Sequence, residues 1–116
     1  MKIREIANLL SADVFLGDKR LDEEVHSAFS SDLMSDVLAN PANMESNIAL
    51  LTGLSNYQTI RTAEMMDIKI VIFVRGKMPT EDMLELAMDN DMIVLRTPLT
   101  MFNASGVLYS NGLKGY

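Results

Sequence analysis

Three apolar runs set 22 residues apart constrain this chain more than any other feature: Ile48-Ala49-Leu50-Leu51, Ile70-Val71-Ile72-Phe73-Val74 and Met92-Ile93-Val94-Leu95. Each is followed by a turn of small polar or charged residues and then by a helical pattern. Runs rich in Ile and Val, with no polar alternation, belong to strands covered on both faces, as in parallel sheets flanked by helices. The spacing leaves room for a strand, a turn and a crossover helix in each copy. The expected architecture is therefore α/β: a mostly parallel sheet of about four to five strands, flanked by helices and built from repeated strand-turn-helix units. A weaker copy comes earlier, with Val25 to Phe29 as strand, Ser30-Ser31-Asp32 as turn and Leu33 to Ala39 as helix. It alternates more, which suits a sheet edge. Before it, Asp13 to Leu16 reads as a short strand and Gly17-Asp18-Lys19-Arg20 as a turn.

Helix starts are written in the side chains. Thr97-Pro98 places a hydroxyl before a proline, predicting a helix that begins there. Thr80 before Glu81 and Asp82 is a cap followed by two carboxylates that favour the positive end of the helix dipole. Its apolar stripe is read as Met83, Leu84, Ala87 and Met88. After the run at Ile48, residues Ile60, Ala63 and Met66 share one face while Arg61 and Glu64 face water. Asn40-Pro41 ends the preceding helix, because proline disfavours helical geometry at Asn40, and a linker runs on to about Ser46.

Length and composition then narrow the function. At 116 residues the chain is read as one domain, residues 1–116, able to bury its own core. Hydrophobic residues make up 48% and charged residues 22%, an ordinary globular balance. There is no cysteine, which excludes disulfides, thiolate nucleophiles and cysteine-held metals and fits a cytosolic setting. The amino terminus reads as an amphipathic helix, so neither a signal peptide nor a membrane span is expected. A net charge of -6 repels nucleic acid and anionic lipid.

In open α/β sheets, ligands settle at the carboxyl ends of the strands. Four turns fall there: Ser30-Ser31-Asp32, Thr52 to Asn56, Arg75-Gly76-Lys77 and Arg96-Thr97. Three of the ten basic residues, Arg75, Lys77 and Arg96, sit at these ends in an otherwise acidic chain. With the small turn of Thr52, Gly53 and Ser55, they form a candidate site for a small anion such as a nucleotide, comprising Thr52, Gly53, Ser55, Arg75, Gly76, Lys77, Arg96 and Thr97. The bland alternative is that both glycines only permit tight turns and the cations only solvate the surface.

Other chemistry finds little footing. Gly76-Lys77 is not a phosphate-binding loop, since Val71 stands where that motif needs glycine and Met78 where it needs Ser or Thr. His26 is the one histidine, so a histidine-built metal site is ruled out, and its place in a strand reads as packed or edge. No catalytic residue, metal site or cofactor is assigned. The ten methionines read mainly as core filler, although an exposed Met65 or Met78 would mark a partner or dimer surface.

The segments Ala28 to Leu38, Leu51-Thr52-Gly53-Leu54, Ile60-Arg61-Thr62-Ala63, Ile72 to Lys77 and Thr97 to Phe102 together resemble the DRTGG domain family. The resemblance implies a fold related to the amino-terminal domain of HPr kinase/phosphorylase. It also implies a ligand-sensing or dimerising role, since such domains occur beside CBS domains in regulatory pyrophosphatases and in long phosphotransacetylases. The Asp-Arg-Thr-Gly-Gly string itself is absent near Thr52 to Asn56, leaving Thr52 and Gly53 as its matched turn residues. Single-domain members are often encoded near iron-only hydrogenase or redox-complex subunits, which implies a redox-enzyme partner. The leading expectation is a non-enzymatic sensor of a small anionic metabolite such as an adenine nucleotide. A homodimerising or redox-docking interaction module is the alternative, and nucleotide hydrolysis the third reading.

Overall fold

The repeated runs become the centre of the sheet. The computed structural model describes residues 1–39 and 47–115, and the expected linker up to Ser46 lies outside them. In chain order the elements are α1 (Ile3–Leu10), β1 (Asp13–Leu16), β2 (Ser27–Ser30), α2 (Met34–Ala39), β3 (Ile48–Thr52), α3 (Tyr57–Met65), β4 (Ile70–Phe73), α4 (Glu81–Asp89), β5 (Ile93–Arg96) and α5 (Met101–Ser110). The strands lie side by side in the order β1-β5-β4-β3-β2. Strands β2 to β5 run parallel, with Ala49 opposite Ile70 and Ile70 opposite Ile93, while β1 runs antiparallel to β5. The α/β architecture with a mostly parallel sheet is as the runs predict.

Because successive strand residues point to opposite faces, each run feeds two cores. Ala49, Leu51, Ile70, Ile72, Val74, Ile93 and Leu95 pack beneath α1 and α5. Leu50, Val71, Phe73 and Val94 pack on the other face, against residues of α2, α3 and α4. All five residues of β3 and all four of β4 are buried, which is why no polar alternation is written into them. Burying each such side chain contributes about 1.5–3 kcal/mol, so the sheet centre dominates stability. Strand β2 lies at the edge, as its alternation suggests, but spans Ser27–Ser30 rather than Val25 to Phe29. Val25 is instead buried against the amino terminus, its N–H donating to the Met1 carbonyl at 2.7 Å. His26 is exposed just outside the strand. The free side of β2 is covered near Ala28, whose N–H donates to the Lys114 carbonyl at 3.1 Å.

The helices follow their caps except at one place. Asn56 caps α3, its side chain accepting from the Thr59 N–H at 3.0 Å, and Ile60 and Ala63 are buried as expected. At the start of α4 the Thr80 hydroxyl donates to the Asp82 carboxylate, which also accepts from the Met83 N–H at 3.1 Å. These bonds, the hydroxyl's first, hold the Asp82 carboxyl below its ordinary value. Met83 and Ala87 are buried, but Met88 is 61% exposed and does not belong to the stripe. The helix expected at Thr97-Pro98 begins three residues later, capped by Thr100, whose hydroxyl accepts from the Asn103 N–H at 3.3 Å. Among the described residues no helix is long and apolar enough to cross a membrane.

Candidate functional site at the strand ends

The connections that follow β4 and β5 part to opposite faces of the sheet. After β4 the chain leaves to α4, on the face shared with α3; after β5 it leaves to α5, on the face shared with α1. In open α/β sheets the carboxyl ends of adjacent parallel strands whose connections part in this way are the place to look for a ligand. The turns after β3, β4 and β5 line that end.

The turn after β4 is shaped by backbone conformation. Arg75 and Gly76 both adopt left-handed conformations, with φ of 57° and 66°. Their N–H groups thereby swing toward the next loop, Arg75 donating to the Leu99 carbonyl at 2.7 Å and Gly76 to the Thr97 carbonyl at 2.8 Å. Gly76 supplies the turn that its lack of a side chain permits, whereas Arg75 carries the strain a side chain brings there. Thr97 explains why the predicted helix cannot begin with it. Its side chain is fully buried, and its hydroxyl donates to the Leu10 carbonyl at 2.6 Å while accepting from the Leu99 N–H at 3.2 Å. The residue that looked like a cap is a buried tie between β5 and the end of α1.

The φ of Gly53 is unremarkable, and a Cβ built there would meet the far end of the flexible Arg75 side chain, which would have to shift. The missing side chain lets the Arg75 guanidinium lie against the turn, with Nη2 3.5 Å from the Gly53 carbonyl. The Gly53 N–H already serves an anion, donating to the Asp32 carboxylate at 2.6 Å. The Thr52 hydroxyl donates to the same carboxylate oxygen at 3.3 Å and accepts from the Leu54 N–H at 3.1 Å. The other Asp32 oxygen lies 3.9 Å from Arg75 Nη2. The chain thus supplies its own carboxylate to the turn where a ligand anion was expected. Asp32 was read only as part of the turn after β2; its parallel neighbour β3 is what carries it over Gly53.

The remaining candidates divide. The Ser55 hydroxyl donates to the Met78 carbonyl at 2.6 Å, joining the turn after β3 to the segment before α4. Arg96 is engaged along the opposite edge: Nη2 donates to Asp13 at 2.7 Å, Nη1 donates to the Met78 sulfur, and the guanidinium carbon stands 5.5 Å from the Phe15 ring centroid. It clamps β1 to β5 and is 28% exposed, so its charge is largely spoken for. Arg75 is half exposed, and Lys77 is exposed with no ion pair among the described residues. The structure therefore brings Thr52, Gly53 and Arg75 into one cluster with Asp32, joins Gly76 to Thr97 through backbone, and leaves Arg75 and Lys77 as cations open to solvent. Among the described residues no group of three or more His, Asp or Glu side chains is placed to hold a metal ion.

Comparison with known proteins adds a fold and no more. No protein-family model matches the sequence, and no curated protein does. Among solved structures, the chain is similar to the crystal structure of the CBS and DRTGG domains of the regulatory region of Clostridium perfringens pyrophosphatase, complexed with its activator diadenosine tetraphosphate. The TM-score is 0.71 at 18% sequence identity; the match covers 92% of this chain and 45% of that one, so this chain spans less than half the length of the protein it matches.

Proposed function

We propose that this chain is a non-catalytic regulatory module of the DRTGG type that binds a small phosphate-bearing anion, first of all an adenine nucleotide, at the carboxyl ends of β3 and β4. The observation that carries the reading is the placement of Arg75 and Lys77, two exposed cations in and beside a left-handed turn, at the strand ends of a chain with a net charge of -6. Local positive charge in an acidic field selects small anions over polyanionic surfaces such as DNA or membrane. In this reading Arg75 and Lys77 meet the phosphate. Thr52, Gly53 and Ser55 shape the first turn, Gly76 and Thr97 hold the second, and Arg96 fixes the side wall. Asp32 is the competitor, a carboxylate that an incoming phosphate must displace from Gly53 and Thr52 or sit beside. Adenine nucleotides come first because the pyrophosphatase regulatory region of like fold takes an adenine dinucleotide as its activator. A cytosolic setting belongs to the same proposal.

Thermal-shift and calorimetric titrations against AMP, ADP, ATP and diadenosine polyphosphates test it. At about a hundredfold excess over Kd, a bound ligand adds roughly 2.7 kcal/mol, which raises Tm by several degrees. The double variant Arg75→Ala/Lys77→Ala is expected to keep its far-UV spectrum and lose this response, and unchanged affinity would remove the site. Asp32→Asn keeps an acceptor for the Gly53 N–H and deletes the competing charge, so anion affinity should rise about tenfold. An affinity that falls instead would make Asp32 a contributor to binding rather than a competitor.

A second reading has its own observation. Met65 and Met78 are 60% and 55% exposed, the condition under which they mark a contact surface. In that reading the domain homodimerises or docks on a redox enzyme and its strand ends stay empty. A flat response to every nucleotide supports it and sinks the sensor reading.

A further inference from the structure

Helix α5 is out of keeping with the rest of the surface. Residues Thr97 to Leu113 form 17 consecutive positions without a charge, in a chain with 10 basic and 16 acidic residues. Among the described helices it is the one that carries no charged side chain. Yet it buries only Ala104 and Leu108 toward the sheet, with Met101 and Val107 partly covered. A helix without charge and with large apolar side chains is ordinarily more widely covered than this. Here Phe102 is 86% exposed and Tyr109 58%. Beside Phe102 runs an open groove of about 540 Å³, lined by Leu99, Asn103, Gly106, Val107 and Ser110. A Cβ at Gly106 would meet nothing within 4 Å, so the floor of the groove is bare backbone.

From this arrangement we infer that the outer face of α5 is the contact surface for a second copy of this chain, with Phe102 of each copy seated over Gly106 of the other. Three arguments converge on a second copy. The first is charge: two molecules of net charge -6 repel wherever their charged surfaces meet, and the face of α5 is where that repulsion is least. The helix itself carries no cation for an acidic peptide or an anionic membrane to hold, and Lys114, beyond its end, is engaged by the Tyr109 ring at 3.9 Å. The second is shape. Phe102 and Gly106 lie four residues apart, one turn along the same helix face, so a twofold axis passing between them places each ring in the other's hollow. A knob and a hole on one helix are self-complementary in a way that a foreign partner has no need to match. The third is polarity at the rim, where Asn103 and Ser110 each carry both donor and acceptor and so match a like surface as readily as water. The surface lies on the face of the sheet opposite α3 and Met65. It rests on homodimerisation alone, with the contact on α5 rather than at Met65 and Met78, and is independent of whether the strand ends take a nucleotide.

Sedimentation equilibrium of the full chain, run to about 200 µM, decides it. The wild-type protein should be a dimer whose dissociation constant rises about a hundredfold in Phe102→Glu and likewise in Gly106→Glu, as befits a central aromatic anchor and its seat. Gly106→Glu adds its side chain into open space at a regular helical position, so it keeps the monomer folded even if Phe102→Glu does not. Met88→Glu, exposed on α4 at the other face, should leave the constant unchanged. A wild-type monomer at the highest concentration overturns both this surface and the homodimer reading. A dimer that either α5 variant leaves intact overturns the Phe102-over-Gly106 seating alone, and the homodimer reading then stands on another surface.

Discussion

Phe73→Ala should unfold about 3–5 kcal/mol more easily than the parent protein, the range for emptying a large buried side chain from a core that cannot collapse around the void. Phe73 is fully buried and heads the largest fully buried side chains of the fold. It packs in the core beneath α2, α3 and α4 with Leu50, Val71 and Val94, at the carboxyl end of β4. A domain of this size is stable by only about 5–15 kcal/mol, so the variant forfeits a large share of the total. Urea denaturation followed by circular dichroism measures it as a drop in midpoint at constant m-value. A loss below about 1 kcal/mol would mean that the neighbours close the cavity and that the core is softer than its burial implies. The effect should extend to the site, because the Phe73 carbonyl accepts from the Thr97 N–H at 2.8 Å and so anchors the loop that receives Arg75 and Gly76.

The second large effect belongs to Gly17, where two costs coincide. Its φ of 101° is one that side-chain-bearing residues rarely adopt, and an added Cβ would stand 2.8 Å from Ile93 Cγ1 and 3.0 Å from Cγ2. The tight approach follows from the irregular pairing of β1 with β5, where the register shifts between Val14 and Leu16. Gly17→Ala should therefore lose about 2–4 kcal/mol, part conformational strain and part overpacking against Ile93. Gly112 separates the two parts: its φ is 106°, but nothing lies within 4 Å of its added Cβ, so Gly112→Ala meets the strain alone. Equal losses in the two variants would show that Ile93 gives way and that packing contributes nothing.

Much of the fold can be read from residue order. Runs that are apolar without interruption from Ile48, from Ile70 and from Met92 can only be strands buried on both faces, and a 22-residue period can only be filled by a crossover helix. A cap was legible at Thr80, where α4 begins, whereas Asn56, which caps α3, was read only as part of the turn after β3. Thr97-Pro98 failed because the same hydroxyl that can cap a helix can also satisfy a distant carbonyl. Leu10, 87 residues away in sequence, claimed it. Met88 failed because the covered arc of α4 is narrower than the run of apolar residues along it.

The candidate site was legible as a place and not as an arrangement. Residue order puts Thr52, Gly53, Arg75, Lys77 and Arg96 at strand ends, and strand ends are where an open α/β sheet is uncovered. Which cations remain available is decided by partners from other segments: Asp13, Phe15 and Met78 engage Arg96, while Lys77 stays unpaired among the described residues. The same holds for Asp32, whose carboxylate reaches Gly53 only because β2 pairs in register beside β3.

By itself, then, the sequence determined the class of fold, the parallel centre of the sheet and the end of it at which charge gathers, because periodicity and burial are properties of neighbouring residues. Tertiary structure alone decided which hydroxyls cap and which tie, which cations are free, that the Arg75 guanidinium lies against Gly53, and that α5 leaves an uncharged face with Phe102 standing out of it. Each of these depends on groups far apart along the chain, and a hydrogen bond or an ion pair is chosen by distance in space, which residue order does not carry.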